Sequence, residues 1–354
     1  MTADRLYLDH AATTPLLPAA REAMLAGFAQ WANPSSPHRE GRAARAALED
    51  ARARLAEALG WRGEVIFTSG ASEALTLALT RCRQPLAAVL SVEHEAVLRH
   101  AGDAERLAVD GQGLVDPAAV AAAAAGTGLV AVQQVNNETG VIQPLDAIVA
   151  AVRAAGGLLL ADCAQSAGKL ALPDADLIAL SAHKFGGPIG MGALLVRDWA
   201  LLEPTGGQER GYRAGTENLP GALAMVAALE QGGGWLANAA AMRQQLELSI
   251  CASGGAVIAA ETPRLPTIGA YRMPGISAAA QLIRFDAMGL AVSAGSACSS
   301  GSLRTSHVLG AMGLEDKAAS EVIRVSIGRE TTEADIARFL DAWREIAGKD
   351  RTGA

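Results

Sequence analysis

Lys184 closes the run "DLIALSAHK" and is followed by the glycine-rich turn "FGGPIGMG". A lysine at the end of an apolar strand is partly stripped of water, which lowers its pKa and frees the amine to form a Schiff base. Three other apolar runs also end in polar groups. "LSVEH" delivers His94, "QQVNNE" delivers Asn137, and "LLLADCAQ" delivers Asp162 and Gln165, while the run before Lys184 adds Ser181 and His183. Singly, a His after a strand is an ordinary hydrogen-bonded residue, an Asp there a helix cap, and a Lys a solvated charge. Gathered at one sheet edge, they make a site.

Pyridoxal phosphate (PLP) needs such a lysine, a carboxylate to keep its ring nitrogen protonated, and a cradle for its phosphate. Asp162 can be the carboxylate. "TSGASEAL" can be the cradle, because a strand is followed by Gly70, a small-residue turn and a helix whose free N–H groups face the anion, with Ser72 adding its hydroxyl. A separate stretch, "SAGSACSSGS" (293–302), sets the thiol of Cys298 among glycines and serines. Such neighbours leave the sulfur poorly covered, as suits a thiol that must reach something and react. Competing motifs fail on spacing. His94 and His100 in "HEAVLRH" are too far apart for a zinc-binding helix, and the glycines of "GGPIGMG" precede a strand where a dinucleotide fingerprint would follow one. No P-loop is present.

Short apolar runs at 64–69, 86–92, 128–135, 157–162, 176–182 and 192–197 alternate with helical patterns, the signature of an α/β sheet covered by helices. Pro144 to Ala155 reads as a helix from its proline start and Gly156-Gly157 stop, and the alanine-rich "AAVAAAAAGTG" as a surface helix. Arg39 to Arg54 reads as a helix with a solvated, alternately charged face. Gly232 to Gly234, followed by a helical pattern from Trp235 to Ile250, marks a candidate boundary between a large domain and a smaller C-terminal one.

With 354 residues and 50% hydrophobic content the chain can bury a large core. Its net charge of −7 offers no basic field for a phosphate backbone, which argues against nucleic acid as the primary partner. Four cysteines without CxxC spacing disfavour a zinc site or a disulfide framework and fit a reducing cytoplasm. The N-terminus lacks a basic segment followed by an apolar stretch, and no apolar run is long enough for a membrane span, so a soluble cytoplasmic protein is expected.

"YLDHAATTP", "NPSSPH", "FTSGASEA", "VEHEAV", "VNNETG", "DCAQSAGK", "SAHKFGGPIGMGAL", "GGQERGYRAGTEN", "SAGSACSSGS" and "IRVSIGR" together resemble the NifS/IscS-like cysteine desulfurases, PLP enzymes of the class-V aminotransferase fold. The matches run in order from Tyr7 to about Arg329. The resemblance implies fold type I of the PLP-dependent transferases: a large domain (15–237) with a mostly parallel sheet flanked by helices, and a smaller α+β domain (1–14 and 238–354) carrying Cys298. It implies that Lys184 holds PLP covalently, Asp162 pairs with the pyridine nitrogen, Gln165 contacts the ring hydroxyl, and His94 stacks on the ring and helps move protons. Asn137 would sit beside cofactor and substrate. Ala71, Ser72, Ser181 and His183 would hold the phosphate, joined by Thr216 from the other subunit of a homodimer. Arg324, helped by Asn33, would anchor the carboxylate of the substrate L-cysteine, for which a guanidinium fork is the natural partner. The Cys298 thiolate would take the substrate sulfur as a persulfide, leave alanine, and hand the sulfur to an acceptor protein, for iron–sulfur cluster assembly or thiolation. Gln208 stands where this family commonly has His, and Cys163, beside Asp162, is read as a packed small residue. Selenocysteine lyase and aminotransferase are the alternative reactions for the same residues. A non-catalytic scaffold of this fold would be expected to have lost part of the polar set.

Overall fold

The computed structural model describes residues 5–126, 128–295 and 306–349. Its strands in chain order are β1 (Leu6–Tyr7), β2 (Glu64–Thr68), β3 (Leu86–Leu90), β4 (Glu105–Leu107), β5 (Leu129–Gln133), β6 (Leu158–Asp162), β7 (Leu177–Ser181), β8 (Gly192–Val196), β9 (Ala256–Val257), β10 (Ile268–Arg272), β11 (Leu290–Ala291) and β12 (Val322–Ser326). Each of the six apolar runs picked from the sequence forms one of them.

β2 to β8 make a seven-stranded sheet in the order β2-β8-β7-β6-β5-β3-β4. β7, β6, β5, β3 and β4 run parallel; β8 is reversed between β7 and β2. Every residue of β5, β7 and β8 is buried, which is why these strands read as unbroken apolar runs: both sheet faces are covered. One face packs Leu48, Leu55, Val132, Ile178 and Leu180, and the other Ile66, Leu75, Val89, Leu160 and Leu194. Register brings one edge together, with Gln133 opposite Asp162, Asp162 opposite Ala179, and both Ser181 and Thr68 opposite Gly192.

A further cluster forms around Leu8, Tyr271, Phe285, Phe339 and Trp343, with Phe285 and Phe339 stacked at 5.1 Å. It lies against the three-stranded antiparallel sheet β12-β10-β9. β1 pairs with β11, and Asp9 bridges to Ser326, so the N-terminal segment is fastened to the C-terminal part of the chain.

The helices follow the sequence signals. Leu145–Ala154 starts after Pro144, Pro117–Ala124 is the alanine-rich one, and Leu236–Ala252 follows the glycine cluster. Arg39–Leu59 is also a helix, but its charged face is not wholly solvated. Arg52 is 7% exposed and pairs with Glu209 at 2.7 Å, because the carboxylate also accepts the outward Phe67 N–H of edge strand β2 (2.9 Å). Among the described residues, no helix is long and apolar enough to cross a membrane.

Candidate active site

A cavity opens where β5, β6 and β7 end, lined by Ala71, Ser72, His94, Asn137, Asp162, Gln165, Ser181, His183, Lys184 and Arg324. Ten of the sequence-predicted site residues therefore meet in one place. Asn33 and Thr216 do not line it; both are exposed. Cys298 lies outside the described residues.

The floor is built from small residues. Gly70, at φ 150°, precedes the helix Ala71–Arg81, which has no side-chain N-cap, so its first N–H groups are left for an anion. A Cβ on Gly70 would find the Ser181 hydroxyl as its nearest neighbour, at 3.9 Å. Beneath lies Gly192, where a Cβ would come within 2.6 Å of the Gly70 Cα. His183 Nδ1 meets Thr13 Oγ1 at 3.2 Å, and burial, then the Lys184 charge, lower its pKa to about 4, so its ring is neutral at pH 7.

Lys184 sits on the single turn Ala182–Lys184 directly after β7. Its Nζ donates to the carbonyls of Ala11 (2.7 Å) and Ala12 (2.8 Å). Gln165 Nε2 donates to the Ala11 carbonyl at 2.9 Å, which leaves Gln165 Oε1 buried and without a hydrogen-bond partner. Behind them Lys169 Nζ donates to the Gln165 carbonyl (3.0 Å), and burial plus the Lys184 charge bring its pKa down to about 7.

Asp162 ends β6 at 8% exposure and accepts the Ala164 N–H at 2.9 Å. Burial raises its pKa; the Ala164 N–H and the His94 and Lys184 charges oppose that rise. His94 caps the short helix Glu95–Leu98, its Nδ1 accepting the Ala96 N–H (3.1 Å), which leaves the ring proton on Nε2. Burial lowers the His94 pKa against the pull of Asp162. Cys163 is fully buried in the core, its thiol pushed up by burial, and packs as a small residue.

Arg324, on β12 at 4% exposure, donates from Nη2 to Asp9 Oδ1 (2.8 Å) and from Nη1 to the Asn137 carbonyl (2.9 Å). Its Nε is buried without a partner. The guanidinium is thus aimed by two groups and retains a donor.

Several residues that shape the site escaped the sequence reading. Asp9 and the Ala11 and Ala12 carbonyls lie in "YLDHAATTP", whose lone acid within an otherwise uncharged approach was the available signal. Glu93 is fully buried; its Oε1 accepts the Gln133 N–H (2.7 Å), and burial and then Asp162 raise its pKa well above the usual carboxylate range. Glu138 accepts from Ser306 Oγ at 2.5 Å, and His307 Nε2 meets the Glu93 carbonyl at 3.0 Å. A Cβ on Gly295 would stand 3.0 Å from Ser306 Cβ and 3.3 Å from Glu138 Oε2, so the chain on the two sides of 296–305 meets over Glu138. Nothing in the type of Glu93 or Glu138 distinguishes them from surface acids.

The residues fit PLP on observations independent of its presence. Gln165 Oε1 is an acceptor awaiting a hydroxyl, Asp162 is a buried carboxylate, and an uncapped helix N-terminus faces the same cavity as the Lys184 amine.

The family model for aminotransferase class-V matches residues 6–339. A cysteine desulfurase of Cereibacter sphaeroides is 37% identical, the match covering 98% of this chain and 97% of that protein. The cysteine desulfurase IscS of Dictyoglomus turgidum is 34% identical over 98% of this chain and 95% of its own length. Among solved structures, a NifS-like protein of Rickettsia africae superposes with a TM-score of 0.89 at 28% identity, covering 97% of this chain and 99% of that one. Matches of that length, spanning sheet and cavity alike, mean that this chain belongs to the class-V aminotransferase family, among the cysteine desulfurases.

Proposed function

We infer that this protein is a PLP-dependent L-cysteine desulfurase that converts L-cysteine to L-alanine and moves the sulfur to Cys298 for delivery to an acceptor protein. The observation that carries this reading is the meeting of Lys184, Asp162 and Gln165 at one sheet edge with an uncapped helix N-terminus, in a chain similar to cysteine desulfurases along its whole length. When bound, PLP supplies an electron sink that stabilises negative charge at the substrate Cα and loosens the bond from carbon to sulfur.

The chain's own groups then have these roles. Lys184 Nζ, held by the Ala11 and Ala12 carbonyls, is the covalent attachment point and moves a proton at the substrate Cα. Asp162 would hold the ring nitrogen, whose positive charge would offset the burial that raises the Asp162 pKa. Gln165 Oε1 accepts from the ring hydroxyl. His94 would serve the cofactor ring with the one proton it carries, at Nε2, and Asn137 would contact cofactor and substrate. Ala71, Ser72, Ser181 and His183 surround the phosphate. Arg324 binds the substrate carboxylate through the N–H groups that Asp9 and Asn137 leave free, with Asn33 assisting. The Cys298 thiolate attacks the substrate sulfur, the bond from Cβ to sulfur breaks, and a proton goes to carbon. Cysteine plus enzyme thiol becomes alanine plus enzyme persulfide, with no outside oxidant.

We further propose a homodimer in which Thr216 reaches the phosphate of the other subunit. The large apolar side chains exposed on and after the helix Pro18–Ala29, Leu25, Phe28 and Trp31, support it. The division into a large domain (15–237) and a small one (1–14 and 238–354) is our reading as well, supported by Leu6 and Leu8 joining the cluster of residues 239–346. A reducing, cytoplasmic setting suits a catalytic thiol.

Incubation with L-cysteine, PLP and a thiol acceptor tests the function. Alanine and persulfide should form in equal amounts, Cys298→Ala should lose the persulfide and turnover, and Lys184→Ala should lose the absorbance of the bound cofactor. Undiminished turnover in Cys298→Ala would overturn the sulfur route.

A further inference from the structure

A second, smaller cavity touches Lys184, walled by the N-terminal segment, the turn after β6 and the chain after β12. Its charges are all of one sign. Lys169, Lys184 and Arg329 line it, and among the described residues no Asp or Glu does. The Lys184 charge is answered by Asp162, in the first cavity. Half-exposed Arg329 donates to the Gly232 carbonyl and lies over the Trp235 ring at 5.8 Å. Lys169 has no such answer. Its Nζ donates to the Gln165 carbonyl (3.0 Å), and the one charge that acts on it is the like charge of Lys184. A cation removed from water without a counter-charge is costly, and nothing in this wall supplies one.

Two polar atoms also lack partners here. Thr267, 3% exposed, has a buried hydroxyl that meets no acceptor or donor, and His10 Nδ1 is buried in the same condition. Burial and then the Lys169 charge lower the His10 pKa to about 4, and its other nitrogen donates to the Tyr7 carbonyl, so the ring is neutral and Nδ1 is a bare acceptor. The Thr14 hydroxyl is already committed to the carbonyls of His10 and Lys184, at 3.3 Å each. Most of the remaining wall is apolar. The cavity measures about 30 Å³, against roughly 10–15 Å³ for one water on the same scale, so two particles of that size fit. One anion and one water complete every group. The anion accepts from Lys169 and Thr267, and the water donates one hydrogen to the anion and the other to His10 Nδ1. Two waters would leave the Lys169 charge unanswered.

We propose that this cavity binds a monatomic anion of chloride size on Lys169 and Thr267, next to Lys184, with Arg329 at its rim. The bound anion offsets the Lys169 charge that Lys184 faces, so the halide content of the medium reaches Lys184 by a route separate from the substrate.

Bromide, which scatters anomalously, is the probe. In crystals of the holoenzyme grown in sodium bromide, an anomalous peak should stand within hydrogen-bond reach of Lys169 Nζ and Thr267 Oγ1. In solution the chloride NMR line should broaden on adding the holoenzyme and sharpen again with bromide, but not with gluconate, which is too large to enter. Lys184, Arg329 and neutral His10 are the charged or titratable groups that share the cavity with Lys169; the helix Leu219–Leu229 adds only apolar side chains. Binding needs the Lys169 proton, held with a pKa of about 7 in the empty site. The chloride Kd should therefore rise as pH climbs above that value, by up to about ten-fold per unit. Thr267→Val keeps the shape and the cation and should raise Kd roughly ten-fold or more. Lys169→Met should abolish the broadening, and Lys317→Met, at an exposed lysine, should leave it unchanged. Water alone in the cavity of the bromide crystal, broadening that survives Lys169→Met, or a Kd independent of pH overturns the proposal. So does a crystal peak without broadening in solution, which means binding at crystal concentration only. If Lys169→Met fails to fold, Thr267→Val still decides, because an unchanged Kd there overturns the site.

Discussion

Replacing Gly192 with alanine adds one methyl group beneath the proposed phosphate cradle. Gly192 begins β8, lies opposite Thr68 and Ser181, and supports the Gly70 turn from below. The new carbon would fall 2.4 Å from the Leu180 carbonyl oxygen and 2.6 Å from the Gly70 Cα. Relaxed carbon contacts begin near 3.5 Å, so the Gly70 turn must retreat by about 0.9 Å. Hydrogen bonds to a charged phosphate are short and directional, and a retreat of that size forfeits at least one, at about 1.5–3 kcal/mol. The Kd for PLP should then rise roughly ten- to hundred-fold. Overpacking should also cost the fold about 1–3 kcal/mol, so a control is needed that adds a methyl where there is room. Gly234 serves, since a Cβ there meets nothing within 4 Å. Titrating each apo-protein with PLP, and following absorbance, reads the affinity directly. A Gly192→Ala protein that melts earlier yet binds PLP with wild-type Kd would refute the idea that the Gly70 turn holds the phosphate.

Arg324→Lys keeps the charge but loses the fork, so KM for L-cysteine should rise about ten-fold or more in steady-state assays, and an unchanged KM would remove Arg324 as carboxylate anchor. Glu209→Ala takes the buried fork from Arg52 and the acceptor from the Phe67 N–H, leaving Arg52 only the Val65 carbonyl and Glu49, and should cost about 1.5–3 kcal/mol in urea unfolding; a loss below about 0.5 kcal/mol would mean that the pair does not hold the 203–217 segment. His10 is pushed from 6.5 to about 4, chiefly by burial and then by Lys169. Between those values the unfolded chain takes up a proton that the folded chain refuses, so the wild type loses stability as pH falls through this window, by up to about 1.4 kcal/mol per unit. In His10→Asn that contribution vanishes, so the stability difference should shift in the variant's favour as pH falls; parallel pH profiles would contradict it.

The sheet was legible because its strands are covered on both faces, so "LVAVQ", "LIALS" and "GALLV" carry no polar residue before their ends. The cavity was legible for the same reason: a polar residue that interrupts such a run has a ligand or a hydrogen bond to justify it, and His94, Asp162 and Lys184 each stand at such an interruption. What stayed hidden depends on distant pairing. Arg52 reads as one more charge on a charged helix, and only the packing of 203–217 against edge strand β2 reveals its burial. Glu93 is indistinguishable in type from the exposed Glu95, two positions on. Asp9 gains its importance from Arg324, 315 residues later. Asn33 was picked as a substrate contact, yet it lies exposed outside the cavity, a placement that its type could not reveal.

The meeting of Gly295 and Ser306 over Glu138 separates the length of the insert between them from the architecture that supports it. Whatever joins two fastened ends closes the same ring, and doubling the number of residues between such ends costs only about 0.6 kcal/mol of closure entropy. Descendants of such a chain can therefore shorten, extend or rewrite residues 296–305, while the sheet and its cavity are inherited unchanged.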